Sequence, residues 1–244
     1  MKEKLKIFII LLSLIFISCN DLEIGTSNQS KIEVTDPKDI YISNIVSKYR
    51  DSINVILDKV IGYSESDYNK TDHNKTNFNS SLGNLIADIL FIQSDSIFRE
   101  REGKNIDFVL QNHGGIRSSL LEGNVKLTDA FNILPFDNEI VIVEVNGETV
   151  NHIVSFLKNE KNPHPISGIT IDREEVYIQG RTINPKKKYL ISTNDYLLSG
   201  GDNMFFLSNN TMVYRFDYKL RDAFIDFTKS NLKLSSKVDN RFLK

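Results

Sequence analysis

The segment QNHGGIR at residues 111–117 follows directly on an apolar stretch at residues 106–110. Such a stretch predicts a short buried β-strand, so the segment is expected to begin at a strand end. The paired glycines Gly114 and Gly115 permit positive φ and a close approach of a ligand to the backbone. Arg117 carries a planar fork of donors that suits an anion. Taken alone, the segment is more often a tight turn with a solvated arginine than a binding loop.

Two later turns carry an aromatic residue in a polar setting. The sequence LPFDN at residues 134–138 presents Phe136 after a proline and just before a strand-forming segment. The sequence TNDYLLSGGDN at residues 193–203 places Tyr196 before a glycine pair and Asp202 after it. A carboxylate can accept hydrogen bonds from the vicinal hydroxyls of a sugar, and each ring offers a stacking face. The structural alternatives are a core aromatic residue in the first case and a capped glycine turn in the second.

Helices and strands are predicted to alternate around these turns without a strict βαβ repeat. Helical spacing and capping signals predict helices from the Asp36-Pro37 pair to residue 57, over 82–98, from Asp129 with Thr128 as its cap, over 149–157, and over 218–228. Apolar runs predict strands over 60–63, 106–110 and 139–145, and three or four more between 166 and 193. This pattern predicts an α+β fold, a single domain with a mixed β-sheet flanked by helices.

The first 35 residues are predicted to lie outside the folded part. Three lysines precede an apolar run over residues 7–17, which has the length of the apolar region of a signal peptide. The run ends beside Cys19, the single cysteine of the chain, where a bacterial lipoprotein carries its lipid. We therefore predict a lipoprotein signal peptide over 1–18, a lipidated cysteine and flexible tether over 19–35, and a folded domain over 36–244. The alternative is a free or buried thiol in a secreted protein that is cut elsewhere.

The targeting signal predicts a lipid-anchored protein of the bacterial cell envelope, either periplasmic or surface-exposed. The 30 basic and 32 acidic residues give a net charge of −2, so no positive excess favours a nucleic acid as partner. With 40% hydrophobic and 25% charged residues, the composition is that of an ordinary globular protein.

The turns occur in order with two further motifs, LGNLIAD at residues 82–88 and ISG at residues 166–168. Together with QNHGGIR, LPFDN and NDYLLSGGD, these motifs resemble the C-terminal domain of the 5′-nucleotidase / UDP-sugar hydrolase family. The resemblance extends over about residues 36–230. It implies the fold of that domain and a pocket for a nucleotide or nucleoside, in which two aromatic rings hold the base.

The resemblance also implies roles for individual residues of the three turns. Phe136 and Tyr196 match the two rings that hold the base, and Asp202 matches the acid that binds the ribose. The other matched positions are Asn112 and Arg117 near the phosphate, the loop glycines Gly114 and Gly115, and Asn138 near the base. His113 departs from the family pattern, because the first glycine of the usual trio stands at this position.

A second departure concerns the phosphate. The family commonly carries an arginine shortly before the LGNLIAD motif, and Thr76 stands at about that place. The neighbouring Lys75 offers a point charge without the bidentate geometry of an arginine. The sequence therefore predicts weaker phosphate capture than is usual in the family.

Phosphomonoester hydrolysis in this family takes place on two metal ions held by a separate N-terminal domain. The histidines of this chain lack the sequence contexts of such ligands and are expected to be surface or loop residues: His73, His113, His152 and His164. We therefore predict that the chain contains no catalytic residue, no metal site and no cofactor. The divalent metal pair is expected in a separate metallophosphatase domain or subunit.

Two functions of different classes follow from this resemblance. In the first, the chain is the nucleotide-binding specificity half of a 5′-nucleotidase-type phosphohydrolase, active in nucleotide breakdown together with that partner. In the second, it is a non-catalytic nucleotide- or nucleoside-binding lipoprotein of the envelope, and a weaker third alternative is a scaffold that binds nothing. The ring and acid residues favour the first, whereas Thr76 and His113 favour the others.

Overall fold

The computed structural model describes residues 39–231 and 233–244. The chain divides into two units, Met1–Val46 and Ser47–Lys244, and the β-strands given below belong to the second. The predicted signal peptide, Cys19, the tether and the Asp36-Pro37 pair lie outside the described residues. Among the residues that are described, no helix has the length and apolar character needed to cross a membrane.

The helices lie close to their predicted positions, except for the short helix Asp195–Leu198, which was not predicted. They are α1 Ile40–Leu57, α2 Ser81–Glu102, α3 Leu127–Ile133, α4 Gly147–Asn159, α5 Asp195–Leu198 and α6 Leu220–Asn231. Helix α2 begins where the Ser80 hydroxyl accepts the backbone N–H of Gly83, and it ends at Gly103, whose φ of 66° only glycine adopts readily. The prediction of a Thr128 cap for α3 is wrong. The carboxylate of Asp129 instead accepts the backbone N–H of Lys126 at 2.7 Å.

Helix α1 forms over the segment whose apolar residues recur at helical spacing. Its first turn is capped by Asp39, whose carboxylate accepts the backbone N–H groups of Tyr41 at 2.8 Å and Ile42 at 3.2 Å. None of the residues of α1 is buried, and Tyr49 is 68% exposed. The helical prediction is confirmed here, while the burial of an apolar face that usually accompanies such a pattern is not observed.

The strands form three sheets rather than the single mixed sheet that was predicted. Their bounds are β1 Val60–Ser64, β2 Phe108–Leu110, β3 Gly123–Lys126, β4 Glu139–Asn146, β5 Ile166–Ser167, β6 Ile169–Asp172, β7 Glu175–Ile178, β8 Arg181–Thr182, β9 Lys188–Asn194, β10 Met212–Lys219, β11 Lys233–Leu234 and β12 Phe242–Leu243. The central sheet has the order β10-β4-β9-β2-β5, and the others are β11-β1-β3 and β12-β6-β7-β8. Each sheet is mixed, because β2 with β9, β1 with β11 and β6 with β12 pair in parallel. The α+β class with helix-flanked mixed sheets is confirmed.

Strand β4 carries apolar residues on both faces because the central sheet is covered on both sides. Ile140 and Ile142 belong to a core shared with α2 and α6. Val141, Val143 and Val145 belong to a second core shared with α4. Successive side chains of a strand alternate between faces, and burying each one fully stabilises the fold by about 1.5–3 kcal/mol. The continuous apolar run is therefore typical of a strand buried on both faces.

The C-terminal part of the chain differs from the prediction. Strand β10 was not predicted, and Tyr218 lies in it rather than in the final helix, which begins at Leu220. Residues 233–244 return to the body of the domain, where the Phe242 side chain is fully buried. The LGNLIAD motif holds them: Asn84 donates to the Lys237 carbonyl at 2.9 Å, and Asp88 pairs with Arg241. The polar residues of this motif thus serve the packing of the C-terminal segment.

Candidate functional site

Three turns meet at one edge of the central sheet. We call residues 111–117 the first turn, 134–138 the second and 193–203 the third. Strands β2 and β9 are parallel neighbours, so the first and third turns leave the same sheet edge. Strand β4 runs antiparallel to β9 and starts at that edge, so the second turn, which precedes β4, joins them there. The strand order thereby brings together segments that lie far apart in sequence.

The three turns surround a cavity of about 270 Å³. Its lining consists of seven of the eight predicted substrate-binding residues, namely Asn112, Gly114, Arg117, Phe136, Asn138, Tyr196 and Asp202. The eighth, Gly115, lines an adjoining narrow cleft together with Asn112, Phe136 and Asn138. The volume lies just below the roughly 300–1,000 Å³ that is usual for small-molecule sites. The cavity is therefore large enough for part of a nucleotide-sized ligand.

Both aromatic rings are partly exposed at this cavity. Phe136 is 48% exposed and Tyr196 is 42% exposed, so neither is a packed core residue. The guanidinium of Arg117 lies 5.9 Å from the centre of the Phe136 ring, within the range of a cation–π contact. Half-exposed rings beside a cavity have faces available for stacking, whereas the core alternative for Phe136 requires burial.

Tyr196 and Asp202 form one unit within the third turn. The Tyr196 hydroxyl donates to Asp202 Oδ1 at 2.8 Å, and the Asp202 backbone N–H donates to the same hydroxyl at 3.2 Å. The hydrogen bond to this carboxylate raises the pKa of Tyr196. Asp202 Oδ1 is therefore engaged by the protein, and Oδ2 is the oxygen that can accept a bond from a sugar hydroxyl.

The backbone of the third turn is shaped to hold this unit. A methyl group on Gly201 would lie 2.5 Å from the Tyr196 ring, so the ring packs directly against the glycine backbone. Asp202 and Asn203 adopt left-handed backbone angles, with φ of 49° and 61°. Asp and Asn are the non-glycine residues that tolerate this region best.

Sequence reasoning missed the polar residues that join the first and third turns. Asn194 is fully buried, and its amide donates to Gln111 Oε1 at 2.7 Å and to Asn112 Oδ1 at 3.3 Å. Its own Oδ1 accepts the backbone N–H of Leu197 at 2.8 Å and so caps α5. The position of Asn194 directly before a short helix is typical of a capping residue. No neighbouring residue in the sequence indicated that its amide would also bond to Gln111 and Asn112 in the first turn.

The second turn is joined to the third turn and to α6. Asp195 Oδ1 accepts the backbone N–H of Glu139 at 3.1 Å, at the start of β4. From α6, the Leu220 N–H donates to the Asn138 carbonyl at 3.0 Å, and the Arg221 guanidinium bonds to Asp137. Neither Asp195 nor Arg221 was predicted as a site residue.

The cation beside the first turn is Lys70 rather than Lys75. Its Nζ donates to the Ile116 carbonyl at 2.6 Å and to the His113 carbonyl at 3.4 Å. Partial burial and, after it, the positive charge of Arg117 lower the pKa of Lys70. Lys75 is exposed and does not line the cavity. The positive side chain expected near the first turn is therefore that of Lys70, and its ammonium group already donates to two backbone carbonyls.

The histidines near the first turn are structural in this arrangement. The backbone N–H of His113 donates to His164 Nδ1 at 3.3 Å. Burial and then the charge of Lys70 lower the pKa of His113 to about 4, so this side chain is neutral at pH 7. His164 lies in a loop, as expected, and is only 6% exposed. Among the described residues, no group of three or more His, Cys, Asp or Glu side chains is placed to hold a metal ion.

The helix-covered mixed sheet and the cavity at its edge define an α+β domain with a ligand-sized site between strand-end loops. The model of a family described as "5′-nucleotidase, C-terminal domain" matches residues 60–208. Endonuclease YhcR of Bacillus subtilis is 30% identical over 185 residues, which cover 72% of this chain and 14% of the relative. NAD 5′-nucleotidase of Haemophilus influenzae is 28% identical over 177 residues, 57% of this chain and 29% of the relative. The chain belongs to the 5′-nucleotidase C-terminal domain family.

A solved structure has the same fold. The crystal structure of a 5′-nucleotidase precursor from Thermus thermophilus aligns with a TM-score of 0.67 at 20% identity, over 84% of this chain and 43% of that one. The present chain thus spans less than half of that structure and less than a third of both relatives. The family and fold predicted from the motifs are confirmed, and the residues that the family model matches, 60–208, include the three turns.

Proposed function

We propose that this chain is the nucleotide-binding specificity half of a 5′-nucleotidase-type phosphohydrolase. The observation that carries the proposal is the cavity at the sheet edge, which is lined by Phe136, Tyr196, Asp202 and Arg117 together. Two partly exposed rings suit a nucleobase, a carboxylate suits a ribose, and a guanidinium fork suits a phosphate. These are the three chemical parts of a nucleotide.

Stacking supplies the largest part of the proposed affinity. Base–aromatic stacking contributes about 1–3 kcal/mol per base and tolerates any base, because every base has a π-face. Asn138 and Asn112 add amide groups near the rings and near Arg117. Nucleotide chemistry is also named for the relative NAD 5′-nucleotidase, which supports the substrate class without fixing the base.

We further propose that hydrolysis requires a separate metallophosphatase domain or subunit. Two-metal phosphoester hydrolysis needs a cluster of ligands that holds both ions and activates water. The described residues offer no such cluster, so their histidines and carboxylates do not fit the metal pair. In this proposal the residues of the cavity bind and orient the nucleotide, and the partner contributes the ions at the seam between the two.

The envelope location stays part of the proposal. Its support is the N-terminal sequence, where an apolar run of signal-peptide length ends beside Cys19. Replacement Cys19→Ser should abolish labelling of the protein by radioactive palmitate in cells. Labelling that persists in this variant would reject the anchor.

The second candidate is a nucleotide-binding lipoprotein without a catalytic partner. It is favoured by the weak provision for phosphate, since Thr76 stands where the family carries an arginine and the Lys70 ammonium is engaged by two carbonyls. Such a protein would bind nucleosides about as well as nucleotides. The two candidates share the base and ribose contacts and differ in what the phosphate contributes.

An activity assay separates these candidates. The full chain, purified in detergent, is tested against AMP with Mn²⁺, alone and mixed with any metallophosphatase that is encoded beside it. We expect AMP binding by calorimetry, no phosphate release alone, and phosphate release in the mixture. The same mixture made with the Phe136→Ala variant should need a higher AMP concentration to reach half of its maximal rate of phosphate release. Robust turnover by the chain alone would reject the split arrangement, and binding with an inactive mixture would support the second candidate.

A further inference from the structure

The second turn is anchored from a distant part of the chain. It lacks the self-contained hydrogen bonding of the third turn, because Phe136 has no polar atom with which to fix its own ring. The turn is held instead by α6, which begins at Leu220. The Leu220 N–H donates to the Asn138 carbonyl at 3.0 Å, and the next residue, Arg221, binds the rest of the turn.

Arg221 contacts every residue of the turn before Asn138. Its Nη1 donates to the carbonyls of Leu134 at 3.1 Å and Pro135 at 3.2 Å, and lies 3.5 Å from the carbonyl of Phe136. Its Nη2 donates to the carboxylate of Asp137. The Arg221 side chain is 8% exposed, so its bonds to the carbonyls are shielded from water, whereas the Asp137 side chain is 66% exposed. Carbonyls held from one planar group cannot shift independently, and the turn is therefore fixed as a unit.

Two neighbours reinforce the position of this guanidinium. Its Cζ lies 4.2 Å from the centre of the Phe131 ring, a cation–π contact in α3 just before the turn. Lys219 pairs with the other oxygen of Asp137 at 3.1 Å. Both hydrogen bonds, first from Arg221 and then from Lys219, lower the pKa of Asp137, so the carboxylate stays charged and bonded at neutral pH.

We infer that Arg221 is a positioning residue that fixes the Phe136 ring for stacking on the base of a bound nucleotide. The inference rests on the proposed function and adds a residue that does not line the cavity. Arg221 is expected to act on the base alone, because apart from Phe131 its contacts lie in the second turn and include neither Arg117 nor Asp202. Loss of Arg221 should weaken the binding of ligands that carry a base and leave the binding of ligands without a base unchanged.

The test is Arg221→Lys in the full chain, with AMP and ribose 5-phosphate as ligands in calorimetry. Lysine keeps the charge but lacks the planar fork that reaches the carbonyls and the carboxylate at once. We expect AMP affinity to fall about tenfold, the lower part of the range for one stacked base. The affinity for ribose 5-phosphate should be unchanged. In a Phe136→Ala background, Arg221→Lys should cause no further loss of AMP affinity.

The matched control is Arg241→Lys, the same change at another mostly buried arginine. Arg241 forks onto Asp88 and Asp239 and does not line the cavity, so AMP affinity should stay at the wild-type value. If the Arg221→Lys variant fails to fold, the Asp137→Asn variant tests the positioning role instead. The Asp137 side chain is 66% exposed, and its replacement leaves the bonds of Arg221 to the carbonyls intact. This variant should bind AMP about two- to threefold more weakly than the wild type and bind ribose 5-phosphate with unchanged affinity.

Each outcome separates the inference from the function on which it rests. Wild-type protein that does not bind AMP contradicts the proposed function itself. Wild-type protein that binds AMP, with unchanged affinity in Arg221→Lys, overturns only the positioning role of Arg221. An equal loss for AMP and ribose 5-phosphate overturns it as well, because a general structural role would not distinguish the two ligands.

Discussion

The second and third turns each present a partly exposed ring to the same cavity, and they hold it by different means. In the third turn the support is local. The Tyr196 hydroxyl bonds to Asp202 six residues later, and the ring rests on the backbone of Gly201. In the second turn the support is remote, since Phe136 depends on Arg221, which lies 85 residues further along the chain.

This difference determines what a mutation in each turn should disturb. Tyr196 shares a hydrogen bond with the acid proposed to bind the ribose, so removing the ring also frees Asp202. Phe136 forms no side-chain hydrogen bond, and its one contact with another cavity side chain is the cation–π contact with Arg117 at 5.9 Å, so its removal should affect chiefly the base. The third turn therefore couples two contacts, whereas the second turn supplies one contact that can be altered from outside the site.

The largest expected effect is that of Tyr196→Ala. It removes a stacking face and the hydrogen bond that orients Asp202, so AMP affinity should fall about 100-fold in calorimetry. Thermal stability should change little, because the ring is 42% exposed. The control is Tyr177→Ala, which removes a half-buried tyrosine that also donates to a carboxylate, that of Glu175 at 2.8 Å. Similar losses in both variants would mean that the cavity does not use Tyr196.

Phe136→Ala should have a smaller effect, of about tenfold on AMP affinity, because only stacking is lost. Affinity for ribose 5-phosphate should stay at the wild-type value. Leu121→Ala serves as control, since this apolar residue is 67% exposed and does not line the cavity. A loss as large as that of Tyr196→Ala would contradict the distinction between a coupled and an independent ring.

Asp202→Asn should reduce the preference for ribose over deoxyribose about threefold, measured as the ratio of the AMP and 2′-deoxy-AMP dissociation constants. The carboxylate accepts a stronger hydrogen bond than the amide does. Asparagine also tolerates the left-handed backbone at this position, where φ is 49°, so the turn should keep its shape. An unchanged ratio would reject the role of Asp202 at the sugar.

The smallest effect is a pH dependence of the second turn. The pKa of Asp137 is lowered by its bonds to Arg221 and Lys219. A lowered carboxyl pKa stabilises the folded state above the unfolded value of about 4, and the contribution disappears as pH falls through the folded value. The melting temperature of the wild type should therefore exceed that of Asp137→Asn at pH 6, and the difference should shrink as the pH falls below about 4. A difference that is constant over this range would contradict the ion pair.

The eight residues predicted for the site were named because their motifs, taken in order, resemble those of a known family, and the fold brings them to one cavity and its adjoining cleft. Glycine pairs, a proline before an aromatic ring and an acid after glycines are visible within a few positions. Asn194, Lys70 and Arg221 were missed because their roles depend on partners 43 to 87 residues away. Strand β10 has the alternating pattern of Tyr214, Phe216 and Tyr218, which is typical of a strand. It was not predicted because Tyr218 was assigned to the helix that follows.

The fold shows the same division between local and distant information. Helices with caps and strands with apolar runs were placed within a few residues. The splitting of the strands into three sheets was not predicted, because it depends on pairings such as β1 with β11 and β6 with β12. These pairings are made by two-residue strands, which are too short to carry a periodic signal.

A crystal structure of the full chain with bound AMP tests the central claim most directly. We expect adenine between the rings of Phe136 and Tyr196, with a ribose hydroxyl donating to Asp202 Oδ2 and the phosphate towards Arg117. Adenine bound outside this cavity, or in contact with neither ring, would contradict it.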